Sequence, residues 1–291
     1  MSDQPLPTSA RPELLFDLPP LPPQAAEAPV SLARRLWQRD GLRQAVVLIA
    51  LAGLWEAAAC WAGNDLLLPG VLQAARAWWD DLHNGELLTR TGISLGLLLQ
   101  GYALGVALAL GLSAVAVATR TGRDVLSALT ALFNPLPAIA LLPLALLWFG
   151  LGAGSLVFVL VHAVLWPVAL ATLSGFQGVP ETLRMAGRNY GLTGLRYVLQ
   201  ILVPSALPAI LSGLRIGWAF AWRTLIAAEL FFGASSGRGG LGWYIFQSRN
   251  ELMTDKVFAG LATVVLIGWV AERLVFDSLE RVTVRRWGMQ R

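Results

Sequence analysis

Residues 93–118 read ISLGLLLQGYALGVALALGLSAVAVA, a stretch without a single Asp, Glu, Lys or Arg. About 20 apolar residues in a helix cross the hydrocarbon core of a bilayer. No water reaches the backbone there, so the chain must pair its own N–H and C=O groups, as a helix does. The stretch reads as a membrane span. Five more apolar stretches flank it, at roughly 44–63, 125–149, 155–176, 203–231 and 256–279. The one at 125–149 holds Pro135, Pro137 and Pro143 and is expected to be kinked or broken. Irregular backbone at that depth is tolerated only inside protein or against a cavity. The stretch at 203–231 is long for a bilayer and should tilt or protrude.

Composition agrees. Of 291 residues, 56% are hydrophobic and 14% charged, against about 25% charged in a soluble domain. Mean hydropathy is +0.60, although the first forty residues are polar and Pro-rich. A soluble enzyme is excluded. The one lysine, Lys256, stands between Asp255 and Val257, so no G-x-x-x-x-G-K-[ST] phosphate loop exists. Any ATP used through such a loop must bind on another chain. Cys60 is the single cysteine, which excludes an intrachain disulfide and argues against a Cys-based metal site. His83 and His162 are far apart in sequence, and no catalytic or metal-binding constellation stands out. Gly237-Arg238-Gly239-Gly240 lies between spans and reads as a flexible outer loop rather than a nucleotide cradle.

The first forty residues carry eight prolines between Pro5 and Pro29 and read as a disordered cytoplasmic tail. It passes into Arg34, Arg35, Trp37, Arg39 and Arg43, which suit the headgroup region before a span. The net charge of +4 is read as orientation, not as a nucleic-acid surface. With the N-terminus inside, fifteen of the 22 basic residues fall on cytoplasmic pieces, five outside, and Arg215 and Arg223 within the fifth span. That bias sets both termini in the cytoplasm with six spans.

The 177–202 loop, then cytoplasmic, has helical chemistry. Pro180 can open a helix, and Glu181 in its first turn suits the helix dipole. Gly191 can end that helix in a left-handed conformation, and Thr193 can cap a second. Small Ala186 and Gly187 permit close approach by another surface. Two readings fit: a docking surface for a soluble partner, or an amphipathic loop packed on its own bundle.

Met185-Ala186-Gly187, then Gly191, then Ile201-Leu202-Val203-Pro204 resembles the EAA loop of ABC-importer permeases. That loop reads E-A-A, three residues, Gly, nine residues, I-x-L-P. Met185 stands in place of the Glu and Val203 in place of the Leu. Glu181, one turn before Met185 on the same face, is a candidate for the missing carboxylate. Asn134-Pro135-Leu136-Pro137, Leu147-Trp148-Phe149-Gly150, Trp166-Pro167 and Ser212-Gly213-Leu214-Arg215 are similar to the nitrate/sulfonate/taurine branch.

The resemblance implies an all-α integral membrane protein, with a type I ABC importer (MetI-like) bundle of six transmembrane helices over 41–291. It implies an inner-membrane location and a homodimer enclosing the path. Two copies of a separate ATPase would bind ATP and Mg, leaving this chain without a cofactor or an enzymatic activity. A periplasmic binding protein would deliver a small anion such as taurine, another sulfonate or nitrate. Glu181, Met185, Ala186, Gly187, Gly191, Ile201 and Pro204 would couple to the ATPase. A stand-alone secondary transporter or channel is the alternative.

Polar groups within the spans complete the reading. Arg215, Trp218, Trp222, Ile226 and Glu229 fall on one stripe of the fifth helix. Intramembrane charges tend to face the bundle interior or a water-filled cavity. Arg215 or Arg223 could attract an anion, or Arg215 could pair with carbonyls freed by Pro204 and Pro208. Glu229 could line the path or rest at the outer interface. His162 is either a hydrogen-bonded packing residue or a path contact. Glu56 could pair with another helix or reach the interface. Gly101 with Gly105, and Gly213 with Gly217, are small-xxx-small pairs suited to helix packing.

Overall fold

The computed structural model describes residues 40–232 and 239–285. The Pro-rich tail, Gly237, Arg238 and the Arg286-Trp287 end lie outside the described residues. Two units are compact, one up to Leu54 and one from Trp55 onward.

Helix α1 (Asp40–Ala62) opens the described chain, and α2 (Val71–His83) and α3 (Glu86–Ala116) follow it. Then come α4 (Arg120–Phe133), α5 (Leu142–Phe149), α6 (Ala153–Gln177) and α7 (Glu181–Asn189). Helix α8 (Val203–Phe232) follows, and α9 (Leu241–Asn250) and α10 (Thr254–Val270) complete the order. Among the described residues, five helices are long and apolar enough to span, beginning at Gly41, Glu86, Ala153, Gly194 and Thr254. The pair Arg120–Phe133 and Ala138–Phe149, bent by 88°, makes a sixth if counted as one span. The expected break at Pro135 and Pro137 is therefore present. Thr119 caps α4 by accepting from the Gly122 N–H at 2.9 Å.

Two boundaries differ from expectation. The fifth span does not begin at Pro204. A helical turn from Gly194 and a π-type turn (Val198–Leu202) run straight into α8, giving 38 helical residues. The wide π turn accommodates the missing N–H of Pro204. The sixth continues past Val270 through further π-type turns to Arg285. Between spans, α2 and α9 are additional short helices that the apolar runs do not mark. Buried Asp81 on α2 ties them together. It accepts from the Tyr244 hydroxyl at 2.5 Å and pairs with Nζ of the lone Lys256 at 3.1 Å. Burial foremost, and then the Asp81 carboxylate, push the Tyr244 phenol up, so it stays a donor. Glu56 is also a helix-end partner: its carboxylate accepts from the Val71 N–H at 2.7 Å, at the start of α2.

The core sits around α6, which packs against α3 on one side and α8 on the other. Small residues set both seams. Gly101 and Gly105 on α3 lie against Leu160 and Val164, while Gly213 and Gly217 on α8 lie against Ala171 and Val168. These pairs serve packing within the bundle. Large apolar side chains such as Val115 and Val265 point outward, 75% and 71% exposed. In water that surface would aggregate; in lipid it is the solvated face.

Filling one of these seams tests the packing. Gly101→Val overlaps Leu160 and is expected to cost about 1–3 kcal/mol, seen as a lower melting temperature in detergent. Gly111, with nothing within 4 Å of a built Cβ, is the control. Gly111→Ala is expected to be neutral or to gain up to ~1 kcal/mol of helix propensity.

Candidate functional site

Two places combine chemistry with geometry: the loop after α6, and a cavity against the broken span.

In the loop, Pro180 takes the N-cap position of α7, with Glu181 in its first turn. Gly191 has φ +68°, a conformation that favours glycine. The Leu192 N–H bonds the Gly187 carbonyl at 3.0 Å and the Gly191 N–H bonds the Arg188 carbonyl at 2.9 Å. This is the Schellman end of a helix. Thr193 occupies the next N-cap position but makes no side-chain cap bond. Glu181 lies 3.7 Å from Arg188 and 3.9 Å from Arg184, exposed contacts worth little.

Arg184, not singled out from sequence, is a fastener. Its guanidinium donates to the Phe176 and Val179 carbonyls at 2.5 and 3.1 Å, satisfying the end of α6. Gly187 is buried, and a Cβ there would stand 3.1 Å from Ile201 and Tyr197. The small residue thus admits the root of α8 rather than a foreign surface. Pro204 is half-buried just beyond. Ala186 is half-buried, while Met185 is 49% and Tyr190 84% exposed. The loop is anchored to α6 and α8 on one side and presents an apolar knob on the other.

The cavity, about 370 Å³, lies where the α4–α5 break meets α6 and α8. The irregular Asn134–Pro137 backbone lines it, which is where such backbone is tolerated. Helix α6 contributes His162 and Trp166, and α8 contributes Phe220, Arg223, Thr224 and Ala227. The four α8 residues share one face. Neither ring nitrogen of His162 has a hydrogen-bond partner among the described residues, and its ring packs edge-on to Phe133 and Trp166.

Residues 88–286 match the family described as "Binding-protein-dependent transport system inner membrane component". The chain belongs to this family. A putative ABC transporter permease of Methanocaldococcus jannaschii is 32% identical over 79% of this chain and 88% of its own. The Escherichia coli taurine transport system permease is 34% identical over 68% of each chain. The Synechocystis nitrate import permease is 27% identical over 88% of this chain and 93% of its own. The protein is a multi-pass membrane permease of the ABC importer class, with an all-α bundle as expected.

Most of the stripe on α8 of this permease turns away from the cavity. Arg215 faces acids of the last span: Asp277 at 2.8 Å, Glu272 at 3.3 Å and Glu280 at 3.5 Å. It does not pair with carbonyls freed by Pro204 and Pro208. Trp218 packs edge-on to Tyr102, and Trp222 donates to the Val264 carbonyl at 3.2 Å. Glu229, 2% exposed, does not line the cavity. It accepts from the Ser94 hydroxyl at 2.8 Å and from the Gly242 N–H at 2.8 Å, while Ser94 Oγ accepts from the Leu241 N–H at 2.8 Å. Glu229 and Ser94 together cap the start of α9. Arg223 of the cavity face was singled out from the sequence, but Phe220, Thr224 and Ala227 were not, because their spacing is as helical as that of the tryptophan stripe. Arg223 was the available signal.

Removing the cap gives the measurable consequence. Glu229→Ala strands the Gly242 N–H and the Ser94 hydroxyl and is expected to cost about 2 kcal/mol. Glu229→Gln keeps an acceptor and should cost less. Thermal unfolding in detergent ranks the two.

Proposed function

We propose that this permease is the membrane half of an ATP-driven importer for a small oxyanion. Two copies form the path, and two ATPase subunits carrying ATP and Mg dock on the α7 side. A periplasmic binding protein loads solute from the opposite side. Both termini are cytoplasmic, following the bias of basic residues. The relatives are named for taurine, aliphatic sulfonates and nitrate. An anion is the chemistry these solutes share.

One observation carries the reading: α7 is fastened to both cavity-lining helices and left exposed on its far face. Arg184 holds the last carbonyls of α6, and Gly187 seats on the root of α8. A push on Met185 and Tyr190 therefore reaches the helices that carry His162 and Arg223. ATP binding to the partner would favour one of two bundle arrangements through this contact. The buried Glu229 is consumed by its capping bonds. That removes it as an ion-coupling group for a stand-alone transporter.

Gly191 is the discriminating position. Gly191→Val places a β-branched residue at φ +68° and disrupts the Schellman turn. ATP-driven uptake is expected to fall at least tenfold and ATPase co-purification to be lost, with the chain still inserted in the membrane. Unaltered uptake sinks the coupling role.

A further inference from the structure

Buried polar atoms without partners are uncommon in native proteins, and each calls for an explanation. Among the described residues, seven buried side-chain polar atoms lack a partner. Four of the seven belong to residues of the one cavity: both ring nitrogens of His162, Nε1 of Trp166 and Oδ1 of Asn134. Leaving such groups dry costs stability; the four atoms are covered within the wall, and the cavity itself is faced by the rings and by Arg223. Arg223 adds the charge. Its Nε donates to the Ala219 carbonyl at 3.0 Å and its guanidinium lies 5.1 Å over the Phe220 ring. No acid pairs with it among the described residues, in contrast to Arg215. An arginine with no acid partner beside an apolar cavity is a receptor for an oxyanion that carries an apolar body.

The remainder of the wall is apolar. Phe133 stacks on Trp166 at 5.0 Å with ring planes 17° apart, and His162 stands edge-on to both. The volume of about 370 Å³ is roughly ten times the ~30 Å³ share of a water molecule. It falls in the ordinary range for organic ligands. Nitrate, with four heavy atoms, would leave most of the wall untouched. His162 and Arg223 each lie nine residues from their helix ends at Ala153 and Phe232, about 14 Å along the axis. The cavity is therefore deep in the span.

We infer that the cavity is a selective binding station for an organic oxyanion, a sulfonate with an apolar or aromatic body. Arg223 holds the head, and the rings of Phe133, Trp166 and Phe220 hold the body. The station rests on the transport reading above and deepens it: selection occurs in the permease as well as in the binding protein.

The test uses the full chain in lipid nanodiscs and isothermal titration with benzenesulfonate, benzenesulfonamide and nitrate. Benzenesulfonate is expected to bind at least tenfold more tightly than nitrate, which lacks the body. It should also exceed the neutral sulfonamide by at least tenfold. Arg223→Gln should weaken benzenesulfonate at least tenfold, and Trp166→Phe, which shrinks the stacked ring, severalfold. Arg249→Gln, on the exposed end of α9, should leave binding unchanged. No binding, equal affinity for nitrate, or full affinity in Arg223→Gln overturns the station.

Uptake by the assembled transporter separates the two readings. ATP-driven sulfonate uptake whose KM ignores Arg223→Gln and Trp166→Phe overturns the station and leaves the importer standing. Binding that depends on Arg223, without ATP-driven uptake, overturns the importer and leaves the station.

Discussion

The constraint on which the rest depends is that hydrocarbon offers the backbone no hydrogen bond. Long helices meet it along their length, so the difficulty moves to every place where a helix stops. Arg184 closes the last turn of α6. The Gly191 turn closes α7 with its own two backbone bonds. Glu229 and Ser94 cover the first N–H groups of α9, and Glu56 serves the start of α2. Only the Asn134–Pro137 break is left to a cavity wall. The residues that solve helix ends and the residues that suggest function are largely the same ones.

This shared use explains why α6 is central. It is packed through small-residue seams to α3 and α8, so it cannot tilt without moving them. One end is held by the loop that follows it, and its middle carries two of the cavity's unpartnered side chains. A close-packed seam transmits displacement because it has few voids to absorb it. Distance between the loop and the cavity is therefore no obstacle to coupling between them.

Much of this was legible along the chain. Apolar runs mark spans because bilayer thickness sets a minimum length. Three prolines in one run mark a break because each removes a donor. Gly191 marks a left-handed turn because other residues resist that backbone. Arg184 was less visible, since nothing local says whose carbonyls an arginine will meet. The same holds for Ser94, 135 residues from the Glu229 it serves. The helices α2 and α9 leave no apolar run because they are half-polar and short, and Asp81, Tyr244 and Lys256 tie them together across the fold.

The all-helical membrane class, the broken third span and the glycine corner of the loop follow from residue chemistry over a few turns. The rotation of α8 does not. Its tryptophan stripe and its Arg223 face both repeat at helical spacing, and periodicity alone cannot rank them. Packing ranks them: Gly213 and Gly217 must meet α6, and that contact turns most of the stripe into the bundle and Arg223 onto the cavity. A helix carries every face in its sequence, but which face looks where depends on neighbours that lie far away along the chain.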